Sequence, residues 1–178
     1  MSHPGEASTN PHRQLGRGMA LVASVLVLGL LTVYFNGSLD QRNNPNRQLQ
    51  VAPGAELVLK RSNNGHYIFP GTINGKPVTF LLDTGATFVA IPAHLGRQLG
   101  LAEGAQEQAT TANGIATTYA TRVSELAFGP FSLRDLPASL NPGMHDNFIL
   151  LGMNVLKQLE FTQRGDTLVL RPLDGAKH

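Results

Sequence analysis

The chain has 178 residues, of which 42% are hydrophobic and 15% charged, and its formal net charge is +2. This length allows one domain of ordinary size, and so low a charged fraction argues against a long disordered chain. The sequence contains no cysteine, which excludes disulfide bonds, thiolate catalysis, Cys-ligated zinc and iron–sulfur clusters.

An apolar run near the N-terminus predicts a single transmembrane helix at residues 19–35. The run has no charged residue and no polar face, which disfavours a helix buried in a soluble core. At helical rise it would span roughly 25 Å, near the lower limit for crossing a bilayer. A cleaved secretory signal is the alternative, but its apolar region is usually about 7–15 residues and ends at a small-x-small site. We therefore expect an uncleaved signal anchor.

The segments on either side of this run are polar. Residues 1–18 are rich in Ser, His, Pro and Gly and are expected to form a disordered tail, and residues 36–53 are expected to form a linker. The surplus of +2 lies within residues 1–49, so the rest of the chain is neutral and gives no indication of a nucleic-acid surface. Arg17 beside the apolar run favours a cytoplasmic N-terminus.

Residues 54–174 are predicted to form one domain of mostly β structure. Short apolar or β-branched runs alternate with turn signals, and only two windows have helical spacing. Strands are predicted at 57–59, 66–69, 72–73, 78–82, 88–91, 115–123, 126–131, 139–140, 148–151, 161–162 and 168–170.

Turn and cap residues place the connections between these strands. Asn74-Gly75 between two β-rich runs predicts a tight hairpin, because both residues tolerate positive φ. Gly165-Asp166 predicts a second hairpin. Pro92 and Gly100 bracket a short helix, and a further short helix is predicted at 154–159.

The segment most indicative of chemistry is Asp83-Thr84-Gly85, which follows the apolar run Phe80-Leu81-Leu82. By itself an Asp-Thr-Gly sequence most often forms an ordinary β-turn. Here the carboxylate comes at the end of a buried strand, where it is costly unless it is paired or used. Gly85 permits close approach of backbone, and Thr84 supplies a hydroxyl for a supporting hydrogen bond.

A second apolar segment, Phe148-Ile149-Leu150-Leu151-Gly152, completes a pattern that resembles the retropepsin-like aspartic proteases, in particular a membrane-anchored bacterial branch. The sequence from Leu81 to Thr87 resembles their catalytic loop. The sequence from Ile149 to Asn154 resembles the hydrophobic-hydrophobic-glycine motif that packs beneath that loop, with Asn154 where such bacterial sequences commonly have Asp. The resemblance covers roughly residues 55–172.

This resemblance implies an all-β fold, the retropepsin-like acid-protease half-barrel, with one or two short helices and a transmembrane helix before it. It implies that Asp83 is the catalytic carboxylate and that Thr84 and Gly85 support the catalytic loop. Ala86 would contribute to the substrate cleft. Leu150, Leu151 and Gly152 would pack beneath the loop.

Catalysis of this kind needs two carboxylates that share one proton and activate one water, the arrangement for which aspartic proteases are the standard example. The chain has one Asp-Thr-Gly, and Asp135, Asp146 and Asp166 have no comparable setting. The resemblance therefore implies a homodimer in which the second Asp83 comes from another copy across a two-fold axis. Anchoring in a membrane would raise the effective concentration of the two copies.

A flap over the cleft is expected at the segment around Asn113-Gly114. Its pattern alone is equally that of an ordinary surface hairpin. The resemblance makes it the flap, in which Ala112, Asn113, Gly114 and Ile115 would cover the substrate, and small residues at the tip suit a mobile lid.

No metal or cofactor is expected, since His66, His94 and His145 lack metal-ligand spacing and no phosphate-binding glycine loop occurs. The sequence thus predicts a membrane-anchored aspartic endopeptidase that acts on peptides or proteins. By resemblance it would lie in the bacterial inner membrane with its catalytic domain in the periplasm. One alternative is the same fold acting as a binding or dimerisation module with little or no hydrolysis. Another, a membrane-tethered adaptor, would follow if Asp83 were solvent-exposed.

Overall fold

The computed structural model describes residues 23–32, 43–52, 56–111 and 114–173. Residues 1–40 and 41–178 form two separate compact units.

In the first unit, residues 23–32 are helical. Among the described residues, no helix is both long and apolar enough to cross a membrane. The predicted anchor at 19–35 extends past this helical segment on both sides, outside the described residues, so it stays a prediction. The predicted tail at 1–18 and residues 36–42 of the predicted linker also fall outside them.

The second unit contains a smaller antiparallel sheet of four strands in the order β1-β2-β11-β10. Its strands are β1 (Gln50–Ala52), β2 (Glu56–Lys60), β10 (Leu159–Arg164) and β11 (Thr167–Pro172). Leu57, Leu59, Leu168 and Leu170 alternate with more exposed residues along the two central strands and are fully or almost fully buried. One face of this sheet therefore belongs to the core.

The larger sheet has seven strands in the order β3-β4-β9-β5-β8-β7-β6, and β3 also pairs with β7. This additional pairing brings the sheet round on itself into a small barrel. The strands are β3 (Ile68–Ile73), β4 (Lys76–Leu82), β5 (Val89–Pro92), β6 (Gln106–Thr111), β7 (Gly114–Phe128), β8 (Phe131–Asn141) and β9 (Phe148–Leu151).

Two short helices, α1 (Ala93–Leu99) and α2 (Met153–Leu156), complete the described part of this unit. The predicted class, all-β with one or two short helices, is confirmed. The predicted caps of α1 are also confirmed, because Pro92 precedes it and Gly100 ends it in the left-handed conformation with φ 72°.

The predicted hairpin between β3 and β4 is confirmed, with φ 50° at Asn74 and 74° at Gly75. The Asn74 side chain adds long-range contacts: its Nδ2 donates to the Leu99 carbonyl oxygen (3.0 Å), and its Oδ1 accepts from the Glu125 N–H (3.1 Å). The hairpin predicted at Gly165-Asp166 is confirmed between β10 and β11.

The strand predicted at 126–131 is wrong as a single element. A tight turn at Gly129-Pro130 separates β7 from β8, and Gly129 has φ 51°. Leu126 lies in one strand and Phe131 in the next, and Phe128 pairs with Phe131 across the turn. The apolar residues on both sides of the turn face the same core, which gives the sequence the appearance of one continuous run.

The folded unit begins earlier than the predicted boundary at residue 54. β1 pairs with β2, and the side chain of Asn46 is 4% exposed. Its Nδ2 donates to the carbonyl oxygens of Lys60 (2.9 Å) and Ile68 (2.8 Å), and its Oδ1 accepts from the Lys60 N–H (2.7 Å). These bonds join part of the predicted linker to both sheets.

The core between the strands contains a cluster of four phenylalanine rings, Phe69, Phe80, Phe128 and Phe131. Neighbouring ring centroids lie 5.3–6.0 Å apart in tilted or edge-to-face orientations, which aromatic pairs favour. Phe69 and Phe80 are fully buried and directly opposed on β3 and β4. This packing fixes the position of β4, whose C-terminal end leads into Asp83.

Candidate active site

Asp83 begins a short loop, residues 83–88, that connects β4 to β5 and is called the Asp83 loop below. Asp83 Oδ1 accepts a hydrogen bond from the Gly85 N–H (2.8 Å), and the Ala86 N–H donates to the Asp83 carbonyl oxygen (3.3 Å). A Cβ atom at Gly85 would lie 3.2 Å from Asp83 Oδ1, so glycine keeps this turn tight. The turn fixes the orientation of the carboxylate.

Asp83 is half-buried, whereas most of the loop after it is exposed. Thr84, Gly85 and Thr87 are exposed, and the side chain of Phe88 is 47% exposed. Asp83 is thus partly open to solvent at the start of the loop. The exposed part of the loop is a surface that another molecule can reach.

Residues 150–154, called the support segment below, lie directly against the Asp83 loop. Strands β4 and β9 are parallel, with Leu81 opposite Leu150 and Leu82 opposite Leu151. The Asp83 N–H donates to the Leu151 carbonyl oxygen (3.2 Å). Leu151 is fully buried, while half-buried Leu150 borders the cleft described below.

The first turn of α2 completes this support. The Met153 N–H donates to the Ala86 carbonyl oxygen (2.8 Å), and the Asn154 N–H donates to that of Thr87 (3.0 Å). A Cβ atom at Gly152 would collide with the Phe88 carbonyl oxygen and would lie 2.8 Å from that of Ala86. Only glycine therefore lets the support segment approach the loop so closely.

An open cleft of about 810 Å³ lies in front of Asp83. One wall is the Asp83 loop, including Ala86 and Phe88. Another is the hairpin of β6 and β7, whose outer part, residues 106–118, is called the hairpin arm below. Ser139 and Asn141 of β8 also border the cleft. Its size suits several side chains of a bound ligand.

Of the predicted flap residues, Gly114 and Ile115 are described, and both lie near the outer end of the hairpin arm. Ile115 borders the cleft and is 74% exposed, and Gly114 is exposed with φ 107°. Ala112 and Asn113 lie outside the described residues. The structure therefore brings five predicted site residues to one cleft: Asp83, Gly85, Ala86, Ile115 and Leu150.

Several residues at the cleft were not predicted from the sequence. Glu107 and Thr118 come from the hairpin arm, Asn141 from β8 and Met144 from the loop that follows it. Of the described residues that border the cleft, only Glu107 and Asp83 have ionisable side chains. The strand that carries Glu107 was not predicted, because its largely polar sequence has little apolar alternation.

Among the described residues of a single chain, no second aspartate borders the cleft. No three described His, Asp or Glu side chains lie close enough together to hold a metal ion. Asp83 is thus the one described aspartate at the cleft, and Glu107 is the other carboxylate that borders it.

Three comparisons with known proteins bear on this site. Residues 69–158 match the family model described as "gag-polyprotein putative aspartyl protease". The chain is 33% identical over 120 residues to a Sinorhizobium protein described as "Uncharacterized protein in cobV 5'region". That match takes in 65% of this chain and 52% of the relative, so the chain spans about half of that relative's length.

Among solved structures, the chain is similar to a retropepsin-like aspartic protease from Rickettsia conorii, with 25% sequence identity and a TM-score of 0.56. This similarity covers 65% of the present chain and 89% of the other. A second similarity is to the EIAV protease in complex with an inhibitor, with 22% identity and a TM-score of 0.40 over 51% of this chain and 84% of that one.

Proposed function

Because the chain belongs to the gag-polyprotein aspartyl protease family and has a retropepsin-like fold, we propose that it is an aspartic endopeptidase in which two copies of Asp83 form the catalytic pair. The observation that carries this proposal is the position of Asp83. Its carboxylate is oriented by the Gly85 N–H, and the loop it begins is bonded to the support segment and borders an open cleft.

The second carboxylate is proposed to come from Asp83 of another copy of the chain. One chain supplies a single aspartate to the cleft, and hydrolysis of this type needs two. The exposed residues Thr84, Gly85 and Thr87, with half-exposed Phe88, leave the loop open to a partner. A two-fold axis beside the loop would bring the two Asp83 side chains together, and Thr84 hydroxyls would bond across it.

The proposed reaction proceeds without a covalent enzyme intermediate. Two carboxylates about 3 Å apart cannot both ionise, so they share one proton. The ionised Asp83 takes a proton from water while the oxygen of that water attacks the peptide carbonyl carbon. The protonated Asp83 gives its proton to the carbonyl oxygen. Collapse of the tetrahedral diol breaks the C–N bond, and a proton passes to the leaving amine.

Peptide hydrolysis by the wild-type chain and by Asp83→Asn tests the chemistry. We expect Asp83→Asn to lower kcat/KM for a mixed peptide library by roughly 10²–10⁴-fold, the usual effect of removing a general acid or base. The matched control is Asp146→Asn, because Asp146 Oδ1 also accepts a bond from the N–H two residues on (Phe148, 3.2 Å) but does not border the cleft. Equal loss in both variants would contradict the proposal.

The shared site is tested separately by mixing wild-type and Asp83→Asn chains in varied proportions. If each site needs Asp83 from both copies, the activity falls with the square of the wild-type fraction. A linear decrease would indicate that one chain is sufficient. A folded dimer that cleaves no peptide would instead support the binding or dimerisation module.

The membrane anchor at 19–35, with the catalytic domain on the periplasmic side of a bacterial inner membrane, completes the proposal. Its support is the uncharged apolar run and, for the orientation, the position of Arg17 close to the N-terminal end of that run. Membrane fractionation of the full chain, followed by protease treatment of spheroplasts, tests both parts. A full chain recovered in the soluble fraction would contradict the anchor.

A further inference from the structure

Glu107 occupies a defined position on the hairpin arm. It is opposite Thr118 in the register of β6 and β7, two residues before the pair Ala109 and Ala116. Directly opposed residues of antiparallel strands share one face, and every second residue returns to that face. Glu107 therefore lies on the same face as these three residues.

The burial of these residues identifies their shared face as the inner one. Thr118 is 2% exposed, and Ala109 and Ala116 are half-buried, whereas Glu107, near the start of β6, is exposed, as are Gln108 and Thr117. Glu107 and its three inner-face neighbours all border the cleft. Its carboxylate is therefore open to a molecule that occupies the cleft.

Glu107 lies away from the outer end of the hairpin arm. At a strand rise of about 3.3 Å per residue, it is roughly 13 Å along β6 from Thr111. Tyr119 of β7 pairs with Leu140 of β8, and Thr118 and Asn141 are the next residues along these strands. A carboxylate and two neutral polar side chains thus border this part of the cleft.

Among the described residues, no cation pairs with the carboxylate of Glu107. None of the ion pairs that the described residues form includes Glu107, and no Lys, Arg or His is among the described residues that border the cleft. A side chain that enters this part of the cleft meets a negative charge without a described cation beside it. Such a site attracts a basic side chain and disfavours an acidic one.

We propose that Glu107 forms a subsite for a Lys or Arg side chain of the bound peptide, so that the cleft selects basic over acidic segments. The inference rests on the proposed peptidase function for the identity of the ligand as a peptide. In the proposed dimer, the two-fold axis repeats the subsite, so basic side chains are favoured at symmetric positions on both sides of the cleaved bond.

Binding of uncleavable peptides tests the subsite without requiring hydrolysis. The probes are short peptides whose central peptide bond is reduced, so that it cannot be hydrolysed. Each peptide carries one Lys at a different position. Matched peptides carry Gln or Glu at that position instead. For the full wild-type chain at low salt, we expect a Lys peptide to bind roughly 2- to 5-fold more tightly than its Gln match at one position or at a symmetric pair, as for an ion pair with an exposed carboxylate.

Three variants make the assignment specific. Glu107→Gln should remove the preference for Lys with little change for the Gln peptides, and Glu107→Lys should shift the preference to the Glu peptides. Glu103→Gln is the control, because this exposed glutamate precedes β6 and does not border the cleft. It should leave the preference intact.

The outcomes separate this inference from the proposed function. Equal affinity for Lys and Gln peptides, or a preference that survives Glu107→Gln, would overturn the subsite, as would a cleft that binds none of the peptides. If the chain binds Lys peptides selectively but does not cleave the corresponding natural peptides, the subsite is supported. Only the proposed hydrolysis is then contradicted.

Discussion

The two walls of the cleft differ in how they are attached to the rest of the molecule. The Asp83 loop is bonded through its backbone at Asp83, Ala86 and Thr87 to the support segment, which packs on a fully buried core. The strand β6 of the hairpin arm pairs only with β7 among the described strands, and Ile115 at its outer end is 74% exposed.

This difference suits two different tasks. A carboxylate that takes part in proton transfer must be held in one orientation, and many bonds to buried elements provide that. A wall that covers a ligand must move aside for it, and an arm with few buried contacts opens at low cost. We therefore expect changes in the loop wall to alter stability and activity together, and changes in the arm to alter ligand binding alone.

The largest effect is expected from Gly152→Ala. The new Cβ would meet the backbone carbonyl oxygens of Phe88 and Ala86, and backbone atoms held by other bonds cannot move aside cheaply. Gly152 has φ −85°, which alanine tolerates, so the effect is purely steric. Overpacking of this kind typically lowers the free energy of unfolding by about 1–3 kcal/mol, measured here by urea denaturation. Peptide hydrolysis should fall as well.

Gly165→Asn is the matched control for this variant. Gly165 has φ 58° and open space around its Cβ position, and asparagine tolerates left-handed backbone better than most residues. We expect its urea midpoint to stay close to that of the wild type. Similar midpoints for Gly152→Ala and Gly165→Asn would show that the loop wall is not the rigid one.

The sequence predicted the surroundings of the Asp83 loop better than the hairpin arm. Asn74, Gly75, Pro92 and Gly100 have local turn or cap preferences that fix their conformations, and the apolar residues of β4 are followed directly by Asp83. At these positions the backbone conformation that the local sequence favours is also the one that the tertiary structure requires. The local pattern is therefore a reliable guide to the structure there.

Strands β1 and β6 could not be predicted in the same way. The sequence of β6, Gln106 to Thr111, is largely polar and exposed, so it has little apolar alternation to detect. It is a strand because it pairs with β7. Similarly, Asn46 joins the fold through bonds to Lys60 and Ile68, which no local pattern reveals. Glu107 was missed for the same reason.

A change confined to the arm should separate binding from stability. Ile115→Ser removes an exposed apolar side chain at the cleft, so we expect the unfolding free energy to change by less than about 0.5 kcal/mol. If Ile115 covers the ligand, KM should rise a few-fold, up to roughly 10-fold, because apolar contact area is lost. Steady-state kinetics and urea denaturation measure the two quantities.

Phe161→Ser provides the comparison for Ile115→Ser. Phe161 is 42% exposed but lies on β10 of the smaller sheet and does not border the cleft. Its substitution should leave KM unchanged. An unchanged KM for Ile115→Ser would show that the arm does not contact the ligand through this residue, and a large loss of stability would show that the arm is not loosely attached.

The smallest effect is expected beyond the hairpin arm, where β7 pairs with β8 and Arg122 of β7 forms an ion pair with Asp135 of β8. The hydrogen bond from the Arg122 guanidinium, followed by its charge, lowers the pKa of Asp135 below its ordinary value of 3.8. The folded state therefore binds fewer protons than the unfolded one. The pair contributes stability above pH 3.8, and this contribution is lost as the pH falls through the lowered pKa.

Asp135→Asn removes the charge and keeps a residue that tolerates the φ of 55° found there. Both side chains are largely exposed, so solvent and salt screen the pair. We expect a small decrease in thermal stability at neutral pH and low salt, which disappears in acid or high salt, with no change in KM. A decrease as large as that of Gly152→Ala would mean that the attachment of the hairpin to β8, rather than that of the Asp83 loop, limits stability. The contrast between the two walls would then be reversed.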